Sequence, residues 1–272
     1  MCAPGCMQVV HERLSRRGFF SVAAAAAATA TVATSVPVAP ANAAAKGFSR
    51  VVDLTHELSA EFPTFSGDPG IALKEVYTFK NEGFNLSRWD LNEHSGTHMD
   101  APIHFSADQA DAAGIAPDKL VLPLVVVDIT ARAQDNVDAQ LTPDDLKAWE
   151  AKHGTIPQSA CVALRSGWDK HVGSDKFRGA NDGGLHFPGF HVEAADMMIE
   201  RGAAGMASDT LSLDYGQSKK FSTHYKWLPS GRWGLECVAN LGDVPEAGAT
   251  IVVGSPKVKG ATGGPTRIFA LV

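Results

Sequence analysis

The chain has 272 residues, with 24 basic against 30 acidic side chains and a formal net charge of −6. That balance, with no basic stripe, excludes a nucleic-acid binder that works by neutralising phosphates. Hydrophobic residues make up 44% of the chain, which allows a substantial core.

The first stretch reads as an address rather than as fold. Ser15-Arg16-Arg17-Gly18-Phe19-Phe20 is a twin-arginine pattern, followed by an alanine-rich apolar run over about residues 22–38 and the cleavage triplet Ala41-Asn42-Ala43. These features predict a signal peptide over residues 1–43 and a mature domain over 44–272, exported to the periplasm or beyond. An uncleaved membrane anchor is the competing reading. The run is short and alanine-rich for a span, so no stable membrane insertion is expected after cleavage. Removing Arg13, Arg16, Arg17 and Glu12 with the signal leaves 21 basic and 29 acidic residues on one large domain. Cys2 and Cys6 leave too. Cys161 and Cys237 remain in apolar, strand-like runs and read as buried thiols, although an oxidising exterior would permit a bridge.

The mature domain opens with an alternating strand over residues 51–58, then a turn-rich loop, Glu61-Phe62-Pro63-Thr64-Phe65-Ser66-Gly67-Asp68-Pro69. Residues 76–79 and 84–91 read as two strands that deliver the densest chemistry in the chain, His94-Ser-Gly-Thr-His98-Met-Asp100-Ala-Pro-Ile-His104-Phe105. Three imidazoles and a carboxylate within eleven positions are donors for Zn²⁺, Mn²⁺ and neighbouring metals. Gly96 and Pro102 argue against a helix and for a strand entering a tight loop that folds round the ion. His94, His98 and Asp100 are the expected ligands. His104 either ligates or stays free beside the ion as a general acid/base. Neither a His-Glu-x-x-His helix nor paired structural cysteines are present.

This run resembles the signature of the metal-dependent cyclase family, which includes bacterial kynurenine formamidases and isatin hydrolases. The resemblance spans essentially the whole mature chain. It implies an α/β fold of the swivelling β/β/α type, with a mixed β-sheet core and flanking helices, assembling as a homodimer or homotetramer. It gives His104 the acid/base role. It also implies that the loop after the first strand brings an aromatic residue, often tryptophan, into the substrate pocket. Phe65 holds that place here and keeps the flat face without the indole N–H, which puts formylkynurenine specificity in doubt. Trp89 is a second expected stacking residue.

Beyond the motif, residues 120–130 form an apolar, β-branched run that reads as a buried strand. Thr142-Pro143-Asp144-Asp145 starts a helix as N-cap, first-turn proline and acids at the positive dipole end, and Gly154 stops it. Residues 161–165 read as a strand leaving through a Ser166-Gly167-Trp168-Asp169 turn. The glycine-rich stretch 172–187, centred on Asn181-Asp182-Gly183-Gly184, is either a cover for a pocket or a plain surface excursion. Nothing in the spacing of His171, His186 and His191 calls for a metal. Residues 192–201 have helical spacing, with Met197 and Met198 as core filler and Gly202 as the stop. A short strand over 204–207 leads into Ser208-Asp209-Thr210-Leu211-Ser212-Leu213-Asp214, which resembles the family's Asp-Thr-x-Ser-x-Asp loop and makes Ser212 a candidate for binding a substrate carbonyl or product carboxylate. It lacks the setting of a nucleophile. The resemblance also gives His224 and Glu236, twelve residues apart, to the metal centre. Independently, a glutamate inside the apolar run 234–241 needs a cation or donor to offset its burial. Residues 249–253 and 266–272 read as closing strands.

The expected activity is hydrolysis of an amide C–N bond through a metal-activated water, with one or two Zn²⁺ or Mn²⁺ ions and a small amide, lactam or lactone as substrate. Lactone opening or cyclisation by the same site, and secreted metal binding without turnover, are the alternatives.

Overall fold

The computed structural model describes residues 47–180 and 182–272; the predicted signal segment and Asn181 lie outside the described residues. In chain order the strands are β1 (Val51–Asp53), β2 (Ile71–Tyr77), β3 (Leu86–Leu91), β4 (His98–Asp100), β5 (Val121–Asp128), β6 (Gln140–Leu141), β7 (Cys161–Arg165), β8 (Gly189–Phe190), β9 (Gly205–Ser208), β10 (Trp233–Glu236), β11 (Ala249–Gly254), β12 (Gly263–Pro265) and β13 (Arg267–Leu271). The helices are α1 (Phe79–Glu82), α2 (Thr130–Asp135), α3 (Pro143–His153), α4 (Val192–Glu200) and α5 (Ser222–Trp227). Nine strands form one sheet in the order β1-β13-β11-β5-β7-β9-β10-β4-β12. Its centre, β5-β7-β9-β10, is parallel, and both flanks are antiparallel. This is the mixed-sheet α/β core the sequence predicts.

β5 explains why its sequence is apolar almost throughout. Leu122, Leu124 and Val126 enter one core cluster, with Ile251 and Leu235, while Val125 and Val127 enter a second, with Trp149 of α3, Met198 of α4 and Trp227 of α5. A strand covered on both faces loses its polar alternation. The α3 signals act as read: Asp145 accepts from the backbone N–H and hydroxyl of Thr142, and Gly154 ends the helix at φ 90°. Met197 and Met198 are core, and Cys161 and Cys237 are buried free thiols.

Two boundaries differ from the sequence reading. The opening strand stops at Asp53, because the Asp53 carboxylate accepts the Thr55 N–H and turns the chain; Thr55 then meets Val238 only in an isolated bridge. The pair expected over 76–79 and 84–91 is a longer hairpin, β2–β3, with α1 inserted where residue 79 was assigned to a strand. The 172–187 segment is anchored rather than loose: Phe177 and Phe187 are fully buried with Phe62 and Trp168, and the Trp168 indole donates to the Phe177 carbonyl. Among the described residues no helix is long and apolar enough to cross a membrane.

Asp209 secures the turn after β7. Its buried carboxylate accepts from the Ser166 hydroxyl and from the backbone N–H groups of Ser166, Gly167 and Trp168. Burial pushes this carboxyl up to about 7, against the pull of those donors. Asp209→Ala strands them without acceptors, and urea unfolding at constant slope is expected to report a loss of about 2–4 kcal/mol.

Candidate metal centre

β4 delivers the motif's ligands. It is hydrogen-bonded on both sides, to β10 with His98 opposite Glu236, and to β12 with Asp100 opposite Gly263. Facing positions of antiparallel strands share a face, so this register alone brings the motif's second histidine to a glutamate 138 residues later. Gly96 bends the entry at φ 63°, where its backbone lies against Leu58 with no room for a Cβ. α5 supplies His224 from a third direction.

The donor atoms converge. His98 Nε2 lies 3.3 Å from both Asp100 Oδ1 and Glu236 Oε2. His224 Nε2 lies 3.1 Å from Glu236 Oε1 and 3.4 Å from Asp100 Oδ2. His94 Nδ1 is 2.8 Å from Asp100 Oδ1. Donors held at ~2.1 Å from one cation are spaced by roughly these edge lengths. The far nitrogens of two imidazoles are already committed: His98 Nδ1 donates to the Gly96 carbonyl at 2.9 Å, and His224 Nδ1 to Asp214 at 2.7 Å. Each therefore turns an Nε2 lone pair toward the carboxylates, in the orientation that backbone and carboxylate partners impose on metal-binding histidines. His98 Nε2 and Asp100 Oδ2 are buried without a hydrogen-bond partner. A buried gathering of acceptors with orphaned atoms fits a divalent cation.

Protons are the alternative occupants of those lone pairs. Burial penalises a charged His98, yet Asp100 and Glu236 outweigh it and lift the imidazole to about 10. His224, also buried, rises well above its usual value through Asp100, Asp214 and Glu236. Burial opposes charge on Asp100 as well, but bonds from His224, His94 and His98 hold its carboxyl well below the usual range.

The cluster opens into a cavity of about 310 Å³. His104, on the 3₁₀ turn Pro102–Phe105, lines it with its ring stacked on His94 at 3.9 Å. Burial foremost pushes His104 down to about 4, so it is a neutral imidazole at physiological pH. Phe65 and Ser212 also line the cavity. Trp89 does not. It stands 65% exposed on the β2–β3 hairpin, so the expectation that it stacks on substrate within its own chain is corrected. Its strand pairs only with β2, in a two-stranded sheet separate from the nine-stranded one. A larger cavity of about 870 Å³ lies beside the 172–187 segment; it shares Pro63 with the metal cavity but none of the ligands.

Three contributors escaped the sequence reading. Phe221 and Phe105 face each other at 5.8 Å across the cavity wall, and Phe221 adopts φ 48°, a conformation no sequence pattern announces. Asp214 orients His224 and also accepts the Thr223 and His224 N–H groups. Its place at the end of the Asp209–Asp214 run was the available signal. His171, His186 and His191 stay outside the centre: His171 packs on Trp168, His186 meets Asp138 and Asp182, and His191 caps α4.

The Cyclase family model matches residues 52–215. The chain belongs to the cyclase family. That match includes His94, His98, Asp100 and His104 and ends before His224 and Glu236. An isatin hydrolase of Roseibium aggregatum is 31% identical over 244 residues, covering 83% of this chain and 93% of its own. A kynurenine formamidase of Erythrobacter litoralis is 29% identical over 203 residues, covering 74% and 84%. A crystal structure of an isatin hydrolase bound to the product analogue thioisatinate superposes with a TM-score of 0.78 at 30% identity, covering 82% of this chain and 92% of that one. With its fold and these relatives, this cyclase-family chain is a metal-dependent amidohydrolase of the swivelling β/β/α type, and its buried His/carboxylate cluster is the candidate metal site.

Because cation and protons compete for the same imidazole lone pairs, loading the apo protein near pH 7 should release about two protons and weaken as pH falls. Calorimetric titration with Zn²⁺ or Mn²⁺ in buffers of different ionisation enthalpy measures that number; a value near zero would contradict the site's protonation.

Proposed function

We propose that the chain is an exported hydrolase that opens the C–N bond of an aryl formamide or of a cyclic amide such as isatin, with His104 as general acid/base. The observation that carries this reading is the place of the His104 ring, at the wall of an aromatic-lined cavity and stacked on His94 at 3.9 Å beside the candidate ligand cluster. The names of the relatives, isatin hydrolase and kynurenine formamidase, support the substrate class. The twin-arginine signal supports export, which favours an aromatic or cyclic amide met outside the cytoplasm over intracellular tryptophan breakdown.

His94, His98, Asp100, His224 and Glu236 would hold the cation. A bound divalent cation, Zn²⁺ or Mn²⁺ as one ion or two, would supply Lewis acidity for the amide carbonyl and lower the pKa of water at the site. Two triads of potential ligands share Asp100, one with His98 and Glu236, the other with His94 and His104. We assign His104 to proton transfer because no hydrogen bond among the described residues engages its ring nitrogens. A neutral imidazole there takes the proton of the attacking water and returns it to the leaving nitrogen. The Ser212 hydroxyl, likewise in no hydrogen bond among the described residues, is left to bind a substrate carbonyl or product carboxylate. Phe65 and Phe221, 5.9 Å apart, present flat apolar faces to an aromatic ring.

Purified mature protein, chelated and reloaded separately with Zn²⁺ and Mn²⁺, should regain hydrolysis of isatin or N-formylkynurenine. His104→Ala should keep the metal and lose ~10²–10⁴-fold in kcat. Stoichiometric metal without turnover of either compound would sink the substrate assignment and turn the search to lactones.

The same reading includes self-association. Leu73, Val76, Tyr77, Phe79, Phe84, Leu86 and Trp89 are all exposed on the hairpin formed by β2, α1 and β3. A lone two-stranded arm is marginal in water, and seven exposed apolar side chains on it call for cover. A second copy covering the arm is the proposed homo-oligomer contact. Leu73→Lys combined with Trp89→Glu should convert the assembly to monomers in sedimentation velocity; an unchanged sedimentation coefficient would refute that contact.

A further inference from the structure

His94 differs from the other two imidazoles of the cluster. His98 and His224 are nearly sealed, with side chains 3% and 4% exposed, whereas His94 is 24% exposed and so freer to turn away. It also presents the opposite nitrogen. His98 and His224 face the carboxylates through Nε2, and His94 does so through Nδ1. Its remaining nitrogen, Nε2, lies 2.9 Å from the Thr262 hydroxyl on the segment leading into β12.

We infer that Glu93 and Thr262 are a positioning pair that locks His94 in the Nε2–H tautomer, with Nδ1 free as a metal donor. The proton count carries this. Glu93 Oε2 accepts from Thr262 twice, from the hydroxyl at 2.5 Å and from the backbone N–H at 3.0 Å. A threonine hydroxyl has one proton, and Glu93 takes it. The Thr262 oxygen can then only accept, so His94 Nε2 must donate to it. Nδ1, 2.8 Å from an Asp100 oxygen, is then the nitrogen that meets Asp100, through a proton in the metal-free protein or through a shared cation when metal is bound.

The next residue gives an independent indication that this segment is shaped to the ring. A Cβ on Gly263 would lie 2.9 Å from His94 Cε1 and 2.2 Å from the Met99 carbonyl oxygen. The backbone therefore seats the imidazole edge and pairs with β4 at the same point. Thr262 and Gly263 fall outside the residues the family model matches. The inference rests on the metal reading of the site.

The test uses the full mature protein. Dissociation constants for Zn²⁺ and Mn²⁺ are measured by competition with a chromophoric chelator for wild type, Thr262→Val and Thr262→Ser. Thr262→Val should bind metal about 10- to 100-fold more weakly and Thr262→Ser should recover wild-type affinity, as expected for loss and restoration of a partner behind a ligand. Matching thermal unfolding of the apo forms separates this from a folding defect. Equal affinity of wild type and Thr262→Val overturns the pair. If Thr262→Val fails to fold, ¹⁵N-histidine spectra of the metal-loaded wild type decide: a proton on His94 Nε2 supports the lock, and one on Nδ1 overturns it. Wild type that binds neither ion would overturn the metal reading and this inference with it, a different result from wild type and variant binding alike.

Discussion

Two carboxylates and three imidazole nitrogens meet in a largely buried space, and much of the surrounding structure answers to that meeting. Lone pairs placed this close repel unless protons or a cation stand among them, and burying a carboxylate uncompensated is costly. The fold therefore commits the outward sides of these groups to fixed partners. Gly96 holds His98, Asp214 holds His224, and the Leu213 N–H donates to Glu236 Oε1. Strand pairing sets the inward sides. β4 cannot slide against β10 or β12 by one residue without turning His98 and Asp100 to the opposite face.

The backbone around the centre carries the cost of that arrangement. Of the four described non-glycine residues with positive φ, three lie on segments that build the site: Phe221 one turn before His224, Cys237 directly after Glu236, and Asn240 beyond it. Such conformations cost on the order of 1–3 kcal/mol each and persist only where neighbours enforce them. Cys237 is held at both ends, its N–H by the Thr210 carbonyl and its own carbonyl by the Thr97 hydroxyl. The tie to Thr97 reaches directly into the motif that carries His98. The strained turn after Glu236 and the ligand strand are thus parts of one braced unit.

How far the sequence revealed this depended on distance along the chain. His94, His98, Asp100 and His104 were legible because ligand chemistry and local spacing coincide within eleven positions. The capped helix α3 was legible for the same reason, since its start and stop signals lie within one or two turns. Burial alone marked Glu236 as needing a cation or donor, but its meeting with His98, and that of His224 with Asp100, depends on contacts between segments more than a hundred residues apart and was legible only through family resemblance. Phe221 and Asp214 owe their roles to tertiary placement, and nothing local distinguishes Phe221 from any other phenylalanine. Trp89 lies away from its own chain's cavity, a placement set by the hairpin's position and not by any local pattern. β1 was overrun because an Asp53 side chain that captures a backbone N–H two residues on breaks a strand without changing its hydropathy pattern.

The run from Asp209 to Asp214 shows how tightly these duties are joined. Asp209 anchors the turn that follows β7, Thr210 braces Cys237 and accepts a bond from it, Ser212 faces the cavity, Leu213 steadies Glu236, and Asp214 aims His224. The run thus links the core, the cavity wall and two members of the buried His/carboxylate cluster through main-chain and side-chain bonds. Shifting this run to suit a new substrate would move Glu236 and His224 with it, so the run is a poor place to vary specificity. Phe65 and Phe221 touch each other and the cavity without bonding to any ligand carboxylate. The Phe65 face can change in size and polarity at the cavity wall, whereas Phe221 also packs on the His224 ring, 5.8 Å between centroids. A phenylalanine at position 65, where the resemblance leads one to expect tryptophan, is therefore a change this architecture can accept at the substrate wall without disturbing its chemistry.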